Sequence, residues 1–192
     1  MSAKTETILI TGSAGFIGSY IVQAALDRGF NVIGIDNFSK YGYEAANHIQ
    51  DPNYLLIEGD VKDPSLLLKY MAQSDHVIAG AAMIGGISYF HKYAYDLLAE
   101  NERIIAATCD AAIQIFPQGR LKKVTYLSSS MVYESSNVWP SKESDLLIVP
   151  PPISSYGFQK LAVEYFARAA FEQYGLPFTI LRPFNCVGIG EK

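Results

Sequence analysis

Residues 7–18 read Thr-Ile-Leu-Ile-Thr-Gly-Ser-Ala-Gly-Phe-Ile-Gly, a short apolar run that passes directly into three spaced glycines. The run Thr7–Thr11 is continuous rather than alternating, which is typical of a strand covered on both faces. The helical stretch Phe16–Arg28 follows and closes on Gly29, a helix stop. This segment therefore predicts a buried strand, a glycine turn and a helix.

The same alternation of strand and helix continues along the chain. Further strand candidates are Asn31–Ile35, Tyr54–Glu58, His76–Gly80, Lys123–Ser128 and Phe178–Arg182. Helical stretches lie between them, the clearest being Ala94–Phe116 and Gly157–Tyr174. Strands that alternate with helices form a parallel sheet with helices on both faces. We therefore expect an α/β fold with a doubly wound parallel sheet.

Composition excludes several classes of protein. The chain has 192 residues, of which 49% are hydrophobic and 18% charged, with a net charge of -4. The apolar content excludes disorder, and the longest apolar runs fall well short of the ~18 residues of a membrane span. No basic cluster is present, which argues against a nucleic-acid partner. Cys109 and Cys186 lie far apart without metal-ligand spacing, so we expect no metal site.

The glycine turn and the end of the second strand together indicate a dinucleotide site. Glycines at 12, 15 and 18 would allow a tight turn, close approach of a pyrophosphate and close packing of helix on strand. Asp36 ends the next strand, where a carboxylate accepts hydrogen bonds from both ribose hydroxyls of adenosine and repels the 2′-phosphate of NADP. NAD is therefore favoured in a Rossmann-like fold, although Lys40 leaves NADP open. The alternative is a turn-forming pair, Asp36-Asn37.

Two other strand ends carry weaker signals. Asp60 follows the third strand and would meet the adenine amino group, or would simply begin a helix. The fourth strand ends in Ala79-Gly80-Ala81-Ala82, small residues that let a flat cofactor lie against the backbone or that merely pack closely.

The second half of the chain supplies reactive groups. Tyr156 and Lys160 are one helical turn apart and share a face. A phenol with a pKa of about 10 is a poor base, but a neighbouring ammonium and an oxidised nicotinamide would lower that pKa. Such a Tyr would accept a proton from an alcohol as hydride leaves. A hydroxyl of the serine run 128–130 would orient the substrate oxygen. The alternative for the Tyr156 and Lys160 pair is a surface Tyr and a solvated Lys, and the alternative for the serine run is an ordinary turn.

Taken together, these residues resemble the extended short-chain dehydrogenase/reductases, in the branch of NAD-dependent nucleotide-sugar epimerases and dehydratases. The matching segments run in the family's order along essentially the whole chain and are Thr11–Gly18, Asp36–Phe38, Gly59–Val61, Asn101, Ser128–Tyr133, Tyr156–Lys160 and Arg182–Asn185.

The resemblance implies a role for each matching residue. The cofactor-binding residues would be Gly12, Gly15, Phe16, Ile17, Gly18, Asp36, Asn37, Asp60, Val61, Ala81, Asn101, Tyr156, Lys160 and Pro183. Tyr156 would be the catalytic base, Lys160 would hold the nicotinamide ribose, and Ser129 would be the catalytic serine, four residues before Tyr133. The substrate-binding residues would be Ser130, Met131, Phe184 and Asn185, with Asn185 at the diphosphate and Phe184 beside the nicotinamide.

Departures from the family pattern narrow the expected reaction. The 4,6-dehydratases follow their catalytic Thr with Asp-Glu, whereas this chain has Ser130 and Met131. The loop Ala81–Ile87 resembles that of GDP-fucose synthase and GDP-mannose 3,5-epimerase, but those enzymes place a catalytic Cys where Met131 stands. The expected activity is therefore that of a nucleotide-diphosphate-sugar 4-epimerase. The alternatives are an NAD(P)-dependent keto-sugar reductase or dehydrogenase and a catalytically silent NAD-binding module.

The resemblance also sets expectations for organisation and partners. Family members commonly run longer, so we expect residues 1–192 to form a single NAD-binding domain with the C-terminal sugar-binding lobe largely absent. A homodimer through the Ala94–Phe116 and Gly157–Tyr174 helices is expected, with a nucleotide-diphosphate sugar as ligand and no nucleic-acid or membrane partner. No signal-peptide pattern precedes the first apolar run, so a cytoplasmic location is expected.

Overall fold

The computed structural model describes residues 5–40, 42–43, 49–85 and 92–191. In this part of the chain, six parallel strands form one sheet in the order β3-β2-β1-β4-β5-β6. The strands are β1 (Thr7–Thr11), β2 (Asn31–Asp36), β3 (Tyr54–Glu58), β4 (His76–Ala79), β5 (Lys123–Leu127) and β6 (Phe178–Leu181). The strand order reverses between β1 and β4, which is the topological switch point of a Rossmann-like sheet. The predicted fold class is confirmed.

The continuous apolar runs form strands because both faces of the sheet are covered. All five residues of β1 are buried, and Leu9 pairs in register with Ile33 of β2 and Val77 of β4. Leu9 and Val77 have no exposed surface. An alternating strand would place polar side chains on one of these dry faces. The glycine turn that follows β1 thus starts from the most deeply buried strand.

Helices cover the two faces unequally. They are α1 (Phe16–Leu26), α2 (Pro64–Met71), α3 (Ala94–Ile115) and α4 (Ser155–Tyr174), with 3-10 helices at Phe116–Gln118, Ser130–Tyr133 and Glu143–Leu147. Helix α1 packs on one face against a cluster containing Ile8, Ile10 and Val32. Helices α2, α3 and α4 build the larger core on the other face. None of the described helices is long and apolar enough to cross a membrane.

Local signals account for most helix boundaries. Helix α1 ends at Leu26, earlier than the predicted Arg28, and Gly29 lies three residues beyond with φ +81°. Helix α4 begins at Ser155 because the Ser154 hydroxyl accepts the amide of Gly157 at 3.0 Å, and its C-terminal cap is Gly175 in the left-handed conformation. Strands β4, β5 and β6 each end one residue earlier than predicted, so the residue that follows each strand is available to the site.

Candidate active site at the carboxyl edge of the sheet

The turn between β1 and α1 is too tight for side chains at two of its glycines. A Cβ on Gly18 would lie 2.0 Å from the carbonyl oxygen of Gly12, and one on Gly12 would lie 2.9 Å from the backbone of Ala81. Gly12 also has φ +71°, a conformation that favours glycine. Gly15 is the N-cap of α1, and Phe16 and Ile17 form its first turn. The predicted glycine residues therefore form one compact turn at the N-terminus of the helix.

The ends of β1 and β4 are tied together at the switch point. The Thr11 hydroxyl oxygen accepts the amides of Gly80 and Ala81, each at 3.1 Å. A crevice opens here between the strand ends, α3 and α4, and its lining includes Thr11, Ala81, Asn101, Leu127 and Lys160. Residues predicted from four separate segments of sequence thus line one crevice.

The Asp36 carboxylate is hydrogen-bonded to the glycine turn. Its Oδ2 atom accepts the amide of Ala14 at 3.0 Å, and its Oδ1 atom accepts the amide of Phe38 at 2.8 Å. A carboxylate has about four lone-pair positions, so two remain for other donors. Phe38 has φ +54° and is buried beside Ala14, which fixes the chain at the end of β2. The two motifs that indicated a dinucleotide site are therefore in direct contact.

The side chains around Asp60 form a turn and an ion pair. Oδ1 of Asp60 accepts the amide of Lys62 at 2.9 Å, and Oδ2 lies 3.5 Å from the Lys62 ammonium and 3.5 Å from the Asn37 amide nitrogen. Val61 is buried. Helix α2 is capped by Asp63, whose carboxylate accepts the amide of Ser65 at 2.9 Å. Asp60 therefore does not begin the helix, which was the alternative to an adenine contact.

Asn101 holds the segment that follows β4. Its Oδ1 atom accepts the amide of Met83 at 2.7 Å, and its Nδ2 atom donates to the Met83 carbonyl at 2.9 Å. The side chain is 2% exposed. Its position on α3 therefore fixes the backbone beside Ala81. The last residues of the loop Ala81–Ile87 lie outside the described residues.

Tyr156 and Lys160 occupy the first turns of α4, as their spacing predicted. The Lys160 ammonium is buried, donates to the Leu127 carbonyl at 2.9 Å and lies 6.0 Å from the centroid of the Tyr156 ring. Burial lowers the pKa of Lys160 to about 8. The Lys160 amine is thus placed beside the ring of a partly exposed Tyr156.

The serine turn after β5 lies alongside the end of β6. Ser129 is 7% exposed and caps a 3-10 helix, because its hydroxyl accepts the amide of Met131 at 3.2 Å. The amide of Ser130 donates to the Pro183 carbonyl at 2.9 Å. Phe184 and Asn185 follow directly and are exposed. The predicted substrate-side residues thus lie in two adjacent segments, and the Met131 carbonyl of one of them is beside Gly157 in the first turn of α4.

Comparison with known proteins identifies the family. Residues 8–192 match the model of the NAD dependent epimerase/dehydratase family. The chain belongs to this family. The resemblance seen in the sequence is therefore confirmed.

Several curated relatives are UDP-sugar 4-epimerases by name. UDP-glucuronate 4-epimerase 4 of Arabidopsis thaliana is 30% identical over 189 residues, which cover 95% of this chain and 42% of the relative. UDP-glucose 4-epimerase of Lacticaseibacillus casei is 29% identical, with 95% and 52% covered. The chain spans about half the length of the curated relatives it matches.

Solved structures of the family superpose on most of the chain. UDP-glucose 4-epimerase from Brucella ovis in complex with NAD has a TM-score of 0.80 at 26% identity, over 94% of this chain and 52% of that chain. UDP-glucuronic acid 4-epimerase from Bacillus cereus, in complex with UDP-glucuronic acid and NAD, has a TM-score of 0.77 at 27% identity, over 92% and 55%.

A buried ion pair beside the site was missed by the sequence analysis. Glu164 lies on α4 one turn after Lys160, has no exposed surface and pairs with Arg182 at 2.7 Å. Arg182 belongs to a family motif, but Glu164 was not singled out. The available signal was an acidic residue on the face of α4 that Lys160 shares.

Lys160 is expected to make the folded chain more stable as pH rises from about 8 to about 10.5. In that range the unfolded amine still binds a proton, whereas the buried amine, with its pKa lowered to about 8, has lost it. The free energy of unfolding therefore rises with pH, by at most about 3 kcal/mol. Urea unfolding of the chain and of Lys160→Met at both ends of this range measures the difference. If the free energy of unfolding of Lys160→Met rose by the same amount, the pH dependence would come from other groups.

Proposed function

We propose that the chain is the NAD-binding part of a nucleotide-diphosphate-sugar 4-epimerase. The observation that carries this proposal is that Lys160 lines the crevice at the strand ends, with the Tyr156 ring centroid 6.0 Å from its ammonium and Ser129 in the turn that follows the neighbouring strand β5. The names of the relatives favour 4-epimerisation over net oxidation or reduction. A silent binding module would have no need of all three residues.

The residues present fit NAD. The backbone at Gly12 and Gly18 leaves no room for a Cβ, so the turn presents amide groups rather than side chains to a pyrophosphate. Asp36 keeps two acceptor positions for ribose hydroxyls, and its negative charge opposes a 2′-phosphate. The remaining proposed cofactor contacts are Gly15, Phe16, Ile17, Asn37, Asp60, Val61, Ala81, Asn101, Tyr156, Lys160 and Pro183. When bound, NAD would accept hydride from the sugar carbon and return it.

The chain's own residues would manage the proton and the sugar. Tyr156 would accept the proton of the sugar hydroxyl and return it after the ring has turned over. Lys160, beside the phenol, would favour the phenolate and orient the nicotinamide ribose. Ser129 would donate a hydrogen bond to the reacting oxygen. Ser130, Met131, Phe184 and Asn185 would contact the nucleotide sugar.

The ligand, assembly and location that accompany this function are proposed with it. Related structures from Thermotoga maritima and Bacillus cereus hold UDP-glucose and UDP-glucuronic acid, so a UDP-sugar is the proposed substrate. A homodimer through α3 and α4 is supported by exposed aromatic side chains on these helices, including Tyr95 and Tyr165. A cytoplasmic location is supported by the free thiols of Cys109 and Cys186, which suit a reducing compartment.

The function is tested with a panel of UDP-, GDP-, CDP- and dTDP-sugars in the presence of NAD. We expect inversion of the sugar at C4, measured by NMR, without net change in absorbance by reduced cofactor. A steady net change would assign the chain to the reductases or dehydrogenases. If the chain bound NAD but turned over none of the sugars, the proposal that these 192 residues are active by themselves would be wrong.

Asp36→Ala is expected to weaken NAD binding by about 10- to 100-fold and to raise the ratio of NADP to NAD affinity. The substitution removes acceptors for the ribose hydroxyls and the charge that repels a 2′-phosphate. Binding of both cofactors is measured by calorimetry. Asp27→Ala is the matched control. It removes one carboxylate at the C-terminal cap of α1, at the opposite end of the helix from the glycine turn. An unchanged preference in Asp36→Ala would contradict the proposed ribose contact.

A further inference from the structure

Glu164 is a fully buried carboxylate with four hydrogen-bond donors. Its Oε1 atom accepts from the Ser128 hydroxyl at 2.8 Å and from Arg182 Nε at 2.7 Å. Its Oε2 atom accepts from Arg182 Nη2 at 2.7 Å and from Arg168 Nη2 at 3.3 Å. The pair with Arg182 is a two-point fork, which fixes orientation as well as distance. Glu164 thus connects α4 to the serine turn and to the end of β6.

Arg182 extends this connection to two further segments. Its Nη1 atom donates to the Tyr133 hydroxyl and, at 3.1 Å, to the carbonyl of Glu143. The guanidinium also lies 5.2 Å from the centroid of the Tyr133 ring. Both 3-10 helices that follow β5 are therefore held by the side chain that Glu164 orients.

The backbone on either side of Arg182 holds the candidate catalytic serine. The amide of Ser128 donates to the Leu181 carbonyl at 2.8 Å, and the amide of Ser130 donates to the Pro183 carbonyl at 2.9 Å. Ser129 lies between these two amides. Any movement of Arg182 along the strand would therefore move Ser129 relative to α4, which carries the Tyr and Lys of the site.

We propose that Glu164 is a positioning residue, which acts through Ser128 and Arg182 to set the place of Ser129 and of the Phe184–Asn185 segment relative to Tyr156. The catalytic meaning of this positioning rests on the function proposed above. Stability alone does not account for such a pair, because an apolar pair of similar volume is often as stable or more stable in a protein interior. The buried ion pair instead specifies one geometry of the loops.

Three variants separate positioning from stability. Glu164→Gln keeps the shape of the side chain and removes its charge from Arg182. The double variant Glu164→Leu/Arg182→Met replaces the whole pair with apolar side chains. Arg168→Gln is the matched control, because the side chain of Arg168 is 37% exposed and donates to Glu164 at 3.3 Å, whereas Ser128 and Arg182 connect Glu164 to the serine turn and the end of β6.

Amide hydrogen exchange provides a readout that needs no substrate. In Glu164→Gln and in the double variant, exchange at Ser128 and Ser130 should accelerate by about tenfold relative to Ile10 in the buried strand β1. Arg168→Gln should leave this ratio within about twofold. A role in stability alone predicts equal acceleration at all three amides, and that result would overturn the inference.

Kinetics provide the second readout. For sugar turnover we expect kcat to fall by about a hundredfold in both variants, because a small misplacement of a reacting group has an effect of this size. The Kd for NAD should stay within about threefold, since Lys160 keeps its bond to the Leu127 carbonyl. If both kcat and the melting temperature of the double variant returned to the values of the parent chain, the inference would also be overturned. If the parent chain turns over no sugar, the proposed function is wrong. The hydrogen-exchange experiment still tests whether Glu164 positions the serine turn, because it needs no substrate.

Discussion

Tyr156→Phe is expected to lose sugar turnover by about a thousandfold while it keeps the NAD affinity of the parent chain. The substitution removes only the phenolic oxygen, which is the proposed proton acceptor. The Lys160 ammonium still donates to the Leu127 carbonyl, so the nicotinamide end of the site retains its shape. Turnover is measured by NMR of the sugar, and NAD binding by calorimetry.

The same helix offers a matched control for this substitution. Tyr165 also lies on α4, but its side chain is 65% exposed. Tyr165→Phe removes an identical hydroxyl and should leave turnover within about twofold. Equal losses in the two variants would indicate a general effect on the helix, and full activity in Tyr156→Phe would remove that residue as the base.

Gly18→Ala is expected to weaken NAD binding by about a hundredfold or more, because the added methyl group has no space. Its Cβ would lie 2.0 Å from the Gly12 carbonyl oxygen, so helix α1 and the turn must move apart. Such overpacking lowers the free energy of unfolding by about 1–3 kcal/mol. The shift also displaces the amide groups that would face the pyrophosphate. Calorimetry with NAD and urea unfolding measure the two effects.

Gly29→Ala separates the loss of stability from the loss of binding. Gly29 has φ +81° but no neighbour within 4 Å of an added Cβ, and it lies beyond the C-terminal end of α1. An alanine there should lower the free energy of unfolding by about 1–2 kcal/mol and leave NAD affinity unchanged. If Gly18→Ala bound NAD as well as Gly29→Ala does, the turn would not be the phosphate site.

The parts of the fold that depend on short-range patterns were predictable. The continuous apolar runs predicted six parallel strands because the central strand β1 is buried on both faces and its neighbours are covered by helices, and the runs carry that constraint directly. Proximity of the glycine turn to Asp36 also followed from the sequence, since both stand at the carboxyl ends of neighbouring strands. Their direct contact through the Ala14 amide did not, because a backbone amide has no sequence signature.

Contacts between distant elements were not predictable from one sequence. Asn101 was expected at the cofactor, and the structure shows its amide group on the Met83 backbone, a pairing that depends on how α3 packs beside β4. Glu164 and Arg182 meet only because α4 and β6 lie next to each other. Neither residue has a local pattern that names its partner. Long-range polar pairs of this kind become visible only when the elements have been packed.

The hydrogen bond between Asp36 and the Ala14 amide constrains how cofactor preference can evolve in this chain. Selection for NADP would act first on Asp36, but an apolar residue there leaves the Ala14 amide without its acceptor and loosens the glycine turn. A single substitution to an apolar residue would therefore weaken the binding of both cofactors. A lineage that changes preference must keep a neutral acceptor for that amide, such as an amide or hydroxyl oxygen, so only a few substitutions at this position lead from NAD towards NADP.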